Sequence, residues 1–170
     1  MDSLVDMYLL QEFAKNIDAG WSSFFMYREV GGKLTFGAPW DFDLAFGNDG
    51  RLDNGSPLEL YVGPGRPGQM QNHEWYNKLY EHAWFREMAA KRWNEISNSQ
   101  IKELIEAVKA MAEYISADME ENYKLWKFLG KRQQQEPSQV YRLTTYKEHI
   151  DYLISWMNTR KNYLDKEFSS

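Results

Sequence analysis

The feature that most constrains the fold is the helical spacing of apolar residues in the second half of the chain. Apolar side chains recur there every three or four residues, which places them on one face of a helix. Methionine and tryptophan share these positions with leucine and isoleucine, so we assign them to core packing. The pattern predicts three long helices, at about 74–96, 98–128 and 146–167.

Two of these helices are preceded by capping signals. Ser97 and Gln100 have the spacing of a capping box, which predicts the start of the second helix. Thr145 and Glu148 form a clearer box ahead of the third helix. We therefore expect a helical subdomain over 74–168.

The first part of the chain changes from one pattern to another. Residues 3–16 carry a helical apolar stripe, and Ser3 stands where a helix cap is expected. Residues 24–27 and 34–36 instead have the aromatic and β-branched composition of strands. Gly31-Gly32 lies between them, which favours a β-hairpin. The predicted fold class is therefore α+β, mainly helical, with a hairpin followed by three long helices.

Residues 47–73 differ in composition from the rest of the chain. They hold six of the eleven glycines and three of the five prolines. We expect an irregular loop with room for one short strand at 58–62. Loops of this length in a compact domain are usually functional or mobile. The prediction is one domain over 1–170, in which residues 1–46 precede the loop and the helical subdomain follows it.

Composition narrows the class of protein. The chain has 170 residues, 43% hydrophobic and 26% charged, which suits one globular domain with its own core. Its net charge of −5 argues against a nucleic-acid surface, which needs clustered lysine and arginine. The absence of cysteine excludes disulfides and zinc–thiolate sites and leaves the compartment open. No apolar run is long enough for a membrane span, and Met1 does not begin a signal peptide.

The strongest candidates for chemistry are Asp41 and Asp43, inside the apolar stretch 38–47. Carboxylates two residues apart point the same way in an extended segment, and in a turn they can chelate one ion. Hard cations such as Mg²⁺ prefer carboxylate oxygen. Acidic groups amid apolar neighbours are costly to bury unless they are paired or bind metal. The alternative is structural: one aspartate caps a turn and the other pairs with an arginine.

A further candidate is Asp18, at the point where the first helix gives way to the hairpin. The hairpin then leads to Asp41, so both acidic loops are expected at the same end of it. We therefore predict that Asp18 lies close to Asp41 and Asp43. The alternative is that Asp18 is an ordinary turn residue after a helix.

Three segments along the chain carry a specific arrangement of residues. They are Tyr8-Leu9-Leu10-x-Glu12-x-x-Lys15-Asn16-x-Asp18, Trp40-Asp41-Phe42-Asp43-Leu44-Ala45-Phe46-Gly47-Asn48, and Tyr152-Leu153-Ile154-x-Trp156-Met157-x-x-Arg160-x-x-Tyr163-Leu164-Asp165. In this order, with the glycine hairpin after the first, they resemble the CotH (spore-coat protein H) family of secreted, atypical protein kinases. The second segment is the most specific, and the similarity covers nearly the whole chain.

The resemblance implies a divergent protein-kinase-like fold and the phosphorylation of protein hydroxyls with ATP and Mg²⁺ or Mn²⁺. Asp18 resembles the catalytic-loop aspartate, which accepts the proton of the substrate hydroxyl. Asp41 resembles the metal-binding aspartate of the kinase D-F-G element, with Asp43 as a second ligand or an outer-shell partner. Kinases place an asparagine ligand five residues after the catalytic aspartate, and that position is Ser23 here, a weaker neutral ligand. No residue is assigned to the nucleotide.

The resemblance also implies that this chain corresponds to the C-terminal lobe of a kinase. The nucleotide-cradling strands and the phosphate-contacting lysine of kinases would then lie upstream of it. Because positioning and charge stabilisation supply most of the catalysis in phosphoryl transfer, the isolated chain is expected to be a poor enzyme. Apolar surface left open by the missing half predicts self-association.

The family further implies protein substrates or spore-coat and surface proteins as partners. It implies an extracellular, cell-surface or spore-coat location, with any signal peptide upstream. The alternative function is a non-catalytic binding or structural module of a bacterial surface or spore-coat protein. Its binding platform would be the glycine-rich loop with Tyr61, Arg66 and Trp75, because exposed aromatic residues contact sugars and peptides well.

Overall fold

The computed structural model describes residues 2–51, 55–64, 74–133 and 135–169. Arg66 and the other residues of 65–73 lie outside the described ranges. The predicted loop over 47–73 can therefore be compared with the structure only in part. The described chain is α+β and mainly helical, as predicted. Its elements are α1 (Asp2–Ala14), β1 (Met26–Arg28), β2 (Leu34–Phe36), α2 (Glu74–Tyr80), α3 (Ala83–Ile96), α4 (Gln100–Tyr114), α5 (Ser116–Leu125), α6 (Ser138–Tyr141) and α7 (Tyr146–Glu167).

Helix α1 is the centre of the fold. The consecutive residues Met7, Tyr8 and Leu9 are all buried, so more than one face of the helix is covered. Helix α1 packs against α3, α7 and β2. A helix that is apolar on several sides belongs inside a domain. The predicted helix over 3–16 therefore exists, and it is the core element on which the other elements assemble.

Strands β1 and β2 form the predicted hairpin, with Met26 opposite Phe36 in an antiparallel pair. Gly31 has a φ of 72°, the left-handed conformation that glycine adopts in a tight turn without steric cost. Ser3 does not cap α1 as predicted, because the helix has already begun at Asp2. The Ser3 hydroxyl instead accepts a hydrogen bond from the Phe36 backbone N–H at 3.2 Å, which ties the hairpin to α1.

Two of the predicted long helices are each broken once. Helix α2 ends at Tyr80 and α3 follows, where one helix over 74–96 was expected. The Arg86 guanidinium donates to the carbonyls of Tyr80 and Glu81 at 2.5 and 2.9 Å, so a side chain satisfies the end of α2. A second break separates α4 from α5 at Ile115. None of the helices in the described ranges is long and apolar enough to cross a membrane.

Of the two predicted capping boxes, one forms. The Thr145 hydroxyl accepts from the Glu148 N–H at 3.2 Å, and the Glu148 carboxylate accepts from the Thr145 N–H at 3.0 Å. The box expected at Ser97 is wrong, because Ser99 precedes α4. Ser97 is buried, and its hydroxyl donates to the Asp165 carboxylate, which joins α3 to α7.

The short strand expected at 58–62 is also wrong, since this described segment forms no strand. The backbone N–H groups of Tyr61, Val62 and Gly63 donate instead to the Glu12 carboxylate, at 2.6, 2.9 and 3.0 Å. A buried side chain thus takes the place of a neighbouring strand as the acceptor. It holds the segment against α1.

Gly47 is required at the end of the acidic stretch. Its φ is 80°, and a Cβ atom would lie 2.4 Å from Trp156 Nε1 and 2.6 Å from the Tyr152 hydroxyl. We expect Gly47→Ala to lower the free energy of unfolding by about 2–4 kcal/mol, because a left-handed backbone and overpacking add their costs. Urea denaturation followed by circular dichroism measures this change.

Gly31→Ala is the matched control. Gly31 has a similar φ of 72°, but a Cβ atom there would meet nothing within 4 Å. This variant should lose only the backbone contribution, about 1 kcal/mol. Equal losses for the two variants would mean that Trp156 and Tyr152 move aside without measurable cost when a Cβ atom is added at Gly47.

Candidate active site

Asp18 lies in a tight turn that directly follows the central helix. Asn16 Oδ1 accepts from the Asp18 backbone N–H at 3.1 Å, a bond typical of asparagine turns. The Asp18 carbonyl accepts from the N–H groups of Trp21 and Ser22 at 2.9 and 3.1 Å. These backbone bonds fix the turn and leave the partly exposed carboxyl group available for chemistry.

Asp41 and Asp43 lie on the loop that follows β2. Asp41 has a φ of 61°, and a left-handed backbone at a residue other than glycine is uncommon and often functional. Asp41 Oδ2 accepts from the Ser23 hydroxyl at 3.0 Å, so two of the predicted ligands are in direct contact. The Asn48 side chain donates to the Asp43 carbonyl at 2.9 Å. The Phe46 N–H donates to the last residue of α1 at 2.8 Å, which fixes the loop beside the Asp18 turn.

The carboxyl group of Asp18 is affected by these neighbours. Its pKa is raised above the ordinary aspartate value, chiefly because partial burial disfavours the charged form. The Arg51 guanidinium opposes this shift, and the negative charges of Asp41, Asp43 and Asp49 add to it. The hydrogen bond from Ser23 to Asp41 brings the two acidic loops together. That Asp18, Asp41 and Asp43 form one acidic site stays a prediction, which the effect of Asp41 and Asp43 on the pKa of Asp18 supports. Their individual roles stay predictions.

The donor atoms of this site suit an ion that is shared with a substrate. In the ranges that the structure describes, no group of three or more His, Cys, Asp or Glu side chains is arranged to hold a metal. Mg²⁺ usually takes one or two carboxylates and completes its shell with water and substrate phosphates. Asp41, Asp43 and the Ser23 hydroxyl supply oxygen atoms of this kind. The residues present therefore fit a Mg²⁺ or Mn²⁺ ion that also binds phosphate.

A buried ion pair, which the sequence analysis missed, follows the acidic loop. Asp49 is fully buried, and Arg51 Nε and Nη2 contact its Oδ2 atom at 3.0 and 2.6 Å. The Arg51 backbone N–H donates to Asp49 Oδ1 at 2.7 Å. Arg51 thus pairs with Asp49 rather than with Asp41 or Asp43. The structural alternative required one of those two aspartates to pair with an arginine, and no such pair is found among the described residues.

Lys15 connects the Asp18 turn to the glycine-rich loop. Its side chain is fully buried, and its ammonium group donates to the carbonyls of Ser56 and Leu58 at 2.9 and 2.8 Å. Buried ammonium groups are costly unless they are hydrogen-bonded in this way. The sequence motif contained Lys15 but assigned it no role. The structure shows that it holds residues 56–58 against the start of the turn.

A second buried pair joins α1 to α7 behind the site. Glu12 and Arg160 are both inaccessible to solvent, with Oε1 and Nη2 at 2.6 Å. Arg160 also donates to the carbonyls of Pro57 and Glu59 at 3.0 and 2.7 Å. Burial lowers the pKa of Arg160, and the charge of Glu12 opposes that shift. The sequence did hold a signal for this pair. Glu12 and Arg160 each stand as a charged residue among apolar helix positions, in the first and the third motif.

The platform expected for a binding module is not formed as predicted. Tyr61 is fully buried, with 0% of its surface exposed, so it cannot contact a ligand from the surface. Trp75 is exposed, as that hypothesis requires. Exposed aromatic residues lie elsewhere, on and around the hairpin. Those of the hairpin region are Trp21, Phe25, Tyr27 and Trp40, and others, such as Trp84, Tyr114 and Trp126, lie in the helical half of the chain.

The fold and this site define an α+β domain in which two acidic loops, joined by a hairpin, meet at the end of a buried helix. A family model described as CotH kinase protein matches residues 1–164. The chain belongs to the CotH kinase family. Searches among curated proteins and solved structures found no match.

Proposed function

We propose that this chain carries the catalytic and metal-binding loops of an atypical protein kinase, which transfers phosphate from ATP to protein hydroxyls. The observation that carries the proposal is the contact between the two acidic loops, in which the hydroxyl of Ser23, five residues after Asp18, donates to Asp41 Oδ2 at 3.0 Å. The charges of Asp41 and Asp43 also raise the pKa of Asp18. Phosphoryl transfer needs a group that orients the attacking hydroxyl beside a metal-binding carboxylate. Membership of the CotH kinase family supports the same reaction.

Each residue has a defined role in this proposal. Asp18 accepts the proton of the substrate hydroxyl and orients its oxygen. Asp41 is the main metal ligand, Asp43 is a second ligand or orients the first, and Ser23 provides a neutral oxygen next to Asp41. When bound, Mg²⁺ or Mn²⁺ offsets the charge that develops on the phosphate oxygens. The hydrogen bonds of the Asp18 turn fix its backbone, and the Ser23–Asp41 bond holds this turn against the loop of Asp41.

The surface around the hairpin supports nucleotide binding. Trp21, Phe25, Tyr27 and Trp40 expose 65%, 51%, 56% and 61% of their surfaces near the acidic loops. Trp21 lies three residues after Asp18, and Trp40 directly precedes Asp41, so these two rings are next to the acidic loops along the chain. An adenine ring suits aromatic surface of this kind. The same surface supports self-association of the chain when nothing else covers it.

Mn²⁺ binding tests the metal role. Asp41→Asn keeps the shape of the side chain and removes its charge, so we expect Mn²⁺ affinity to fall at least about tenfold. Electron paramagnetic resonance measures the free ion directly, with and without a non-hydrolysable ATP analogue. The same substitution in the full-length gene product should abolish phosphate transfer from radiolabelled ATP to protein.

Asp151→Asn is the matched control, because Asp151 is an exposed carboxylate paired with Lys147 on α7. It should leave Mn²⁺ affinity unchanged within about twofold. Equal Mn²⁺ affinity of the Asp41→Asn variant and the unsubstituted chain would remove Asp41 from the metal site. The absence of both metal-dependent ATP binding and transfer in the full-length gene product would refute the proposed activity.

A non-catalytic module is the second candidate function. The exposed hairpin aromatics favour it as much as they favour a nucleotide, because they also suit a peptide or a glycan. This alternative predicts binding on glycan or peptide arrays that is unchanged by Asp41→Asn and needs no metal. For either function we propose a cell-surface or spore-coat location, with proteins of that layer as partners.

A further inference from the structure

A cavity with aromatic walls lies directly beside the acidic loop, and Asp43 is part of its lining. Its volume is about 370 Å³, which is within the usual range of ligand sites, about 300–1,000 Å³. The acidic stretch forms one wall, and the end of α5, the segment around α6, and α7 form the others. Six phenylalanine and tyrosine rings line this aromatic cavity: Phe42, Phe46, Tyr123, Phe128, Tyr146 and Tyr152.

The rings of the aromatic cavity contact one another. The centre of the Tyr123 ring lies 5.0 Å from that of Phe128 and 6.3 Å from that of Tyr146. On the opposite wall, Phe42 lies 6.4 Å from Phe46. Rings that are already packed lose little conformational freedom when a ligand binds. Because the face of an aromatic ring carries partial negative charge, such walls attract organic cations.

The charged groups of the cavity favour the same kind of ligand. Asp43 and Glu136 are its two carboxylates, and no lysine or arginine is among the described residues that line it. Neither carboxylate forms an ion pair with any residue that the structure describes. Glu136 accepts from the Gln133 N–H at 3.0 Å, which leaves its charge uncompensated. If Asp43 shares its charge with a metal, that of Glu136 is still available to a cation.

His149 adds a hydrogen-bonding position to the lining. Its Nε2 atom is buried and has no hydrogen-bond partner among the described residues. A neutral imidazole can accept a hydrogen bond at this nitrogen, and a buried polar atom without a partner costs free energy. An N–H group of a bound ligand satisfies this atom. Ammonium and guanidinium groups both supply such donors.

The position of the cavity relates it to the acceptor polypeptide. Asp43 and Phe128 are exposed, so the cavity opens to solvent next to the acidic loop. A polypeptide that places a hydroxyl group at the acidic loops has its neighbouring side chains within reach of this opening. Lysine and arginine side chains offer an apolar stem to the rings and a cation to the carboxylates.

We propose that the aromatic cavity binds a lysine or arginine side chain of a polypeptide, through the Glu136 carboxylate and the surrounding rings. The binding itself requires neither ATP nor metal. Its role in the choice of acceptor rests on the proposed kinase function, in which the bound cation lies near the hydroxyl that is modified.

Peptide binding to this chain tests the proposal. Fluorescence anisotropy compares four labelled peptides, without ATP or metal. Each has one central serine, flanked by lysine, arginine, norleucine or glutamate. Norleucine has the stem of lysine without its charge. We expect the lysine or the arginine peptide to bind about five- to tenfold more tightly than the norleucine peptide.

Two variants assign this preference to the aromatic cavity. Glu136→Gln keeps an acceptor for the Gln133 N–H and removes the charge, and Phe128→Leu removes an exposed ring. Each should lower the ratio of lysine-peptide to norleucine-peptide affinity by about threefold or more. The matched controls are Glu120→Gln and Trp126→Leu, which change an exposed acid and an exposed ring outside the cavity lining. They should change the ratio by less than about twofold.

Four results would overturn the proposal. They are equal affinity for the lysine, arginine and norleucine peptides, tightest binding of the glutamate peptide, no binding of any peptide, and equal effects of the cavity variants and their controls. The last would mean that the overall charge of −5, rather than the cavity, attracts the cation.

Because ATP and metal are absent, these outcomes are independent of phosphate transfer. Cation binding in the cavity of a protein that transfers no phosphate would keep the site and remove only its role in acceptor choice.

Discussion

Glu12→Ala is expected to lower the free energy of unfolding by about 3–5 kcal/mol, the usual cost of removing one partner of a buried ion pair. The carboxylate pairs with Arg160 at 2.6 Å and accepts from three backbone N–H groups in residues 61–63. The substitution leaves three buried backbone N–H groups without their acceptor and leaves the buried Arg160 guanidinium with carbonyl oxygens but no carboxylate to balance its charge. Since domains of this kind are stable by about 5–15 kcal/mol, the loss is severe.

Urea unfolding followed by tryptophan fluorescence measures this effect. The control is Asp151→Ala, which breaks a pair on the surface of α7 whose side chains are 62% and 81% exposed. Exposed pairs contribute little, so the control should change stability by less than about 0.5 kcal/mol. A loss below about 1 kcal/mol for Glu12→Ala would show that the buried network does not hold residues 61–63.

Arg160→Met separates the two partners. This variant leaves the Glu12 carboxylate without its cation and frees the carbonyls of Pro57 and Glu59, so its loss should be similar to that of Glu12→Ala. The double variant should cost less than the sum of the two, because residues in one network are not independent. Additive losses would mean that the two side chains stabilise the protein separately.

Much of the fold around the site could be predicted from local patterns. The hairpin follows from two short strand-like segments around Gly31, and the Thr145 capping box follows from spacing alone. Because the hairpin joins the two acidic loops, the contact between those loops, made by the Ser23–Asp41 hydrogen bond, was also predictable. Each of these inferences depends on residues that are neighbours in the sequence.

The features that the sequence analysis missed depend on distant partners. Glu12 is separated from Arg160 by most of the chain, and its backbone donors at 61–63 lie in a segment whose apolar residues suggested a strand. The break before α3 is accompanied by a hydrogen bond from the Arg86 guanidinium to the Tyr80 carbonyl at the end of α2. The spacing of apolar residues carries no information about such a side-chain contact. Tyr61 is a further example. Its place in the glycine-rich loop predicts an exposed side chain, but contacts with distant residues such as Glu12 accompany its complete burial.

Asp18→Asn is expected to reduce phosphate transfer by about 10²–10⁴-fold, because it removes the proton acceptor of the proposed reaction. Asparagine has nearly the shape of aspartate, and the turn is held by the Asp18 backbone N–H and carbonyl, so the fold should be unchanged. The measurement is the rate of transfer from radiolabelled ATP to protein by the full-length gene product. Circular dichroism of the variant confirms folding.

Mn²⁺ affinity then distinguishes the role of Asp18 from that of Asp41. If Asp18 acts on the hydroxyl proton, Asp18→Asn keeps Mn²⁺ affinity within about threefold, since only a nearby charge is lost. Asp41→Asn instead loses affinity and transfer together, because Asp41 holds the ion on which the phosphate is positioned. Loss of Mn²⁺ affinity in both variants would make Asp18 a metal ligand. Transfer that survives Asp18→Asn within about tenfold would exclude it as the base, because general-base removal costs more than that.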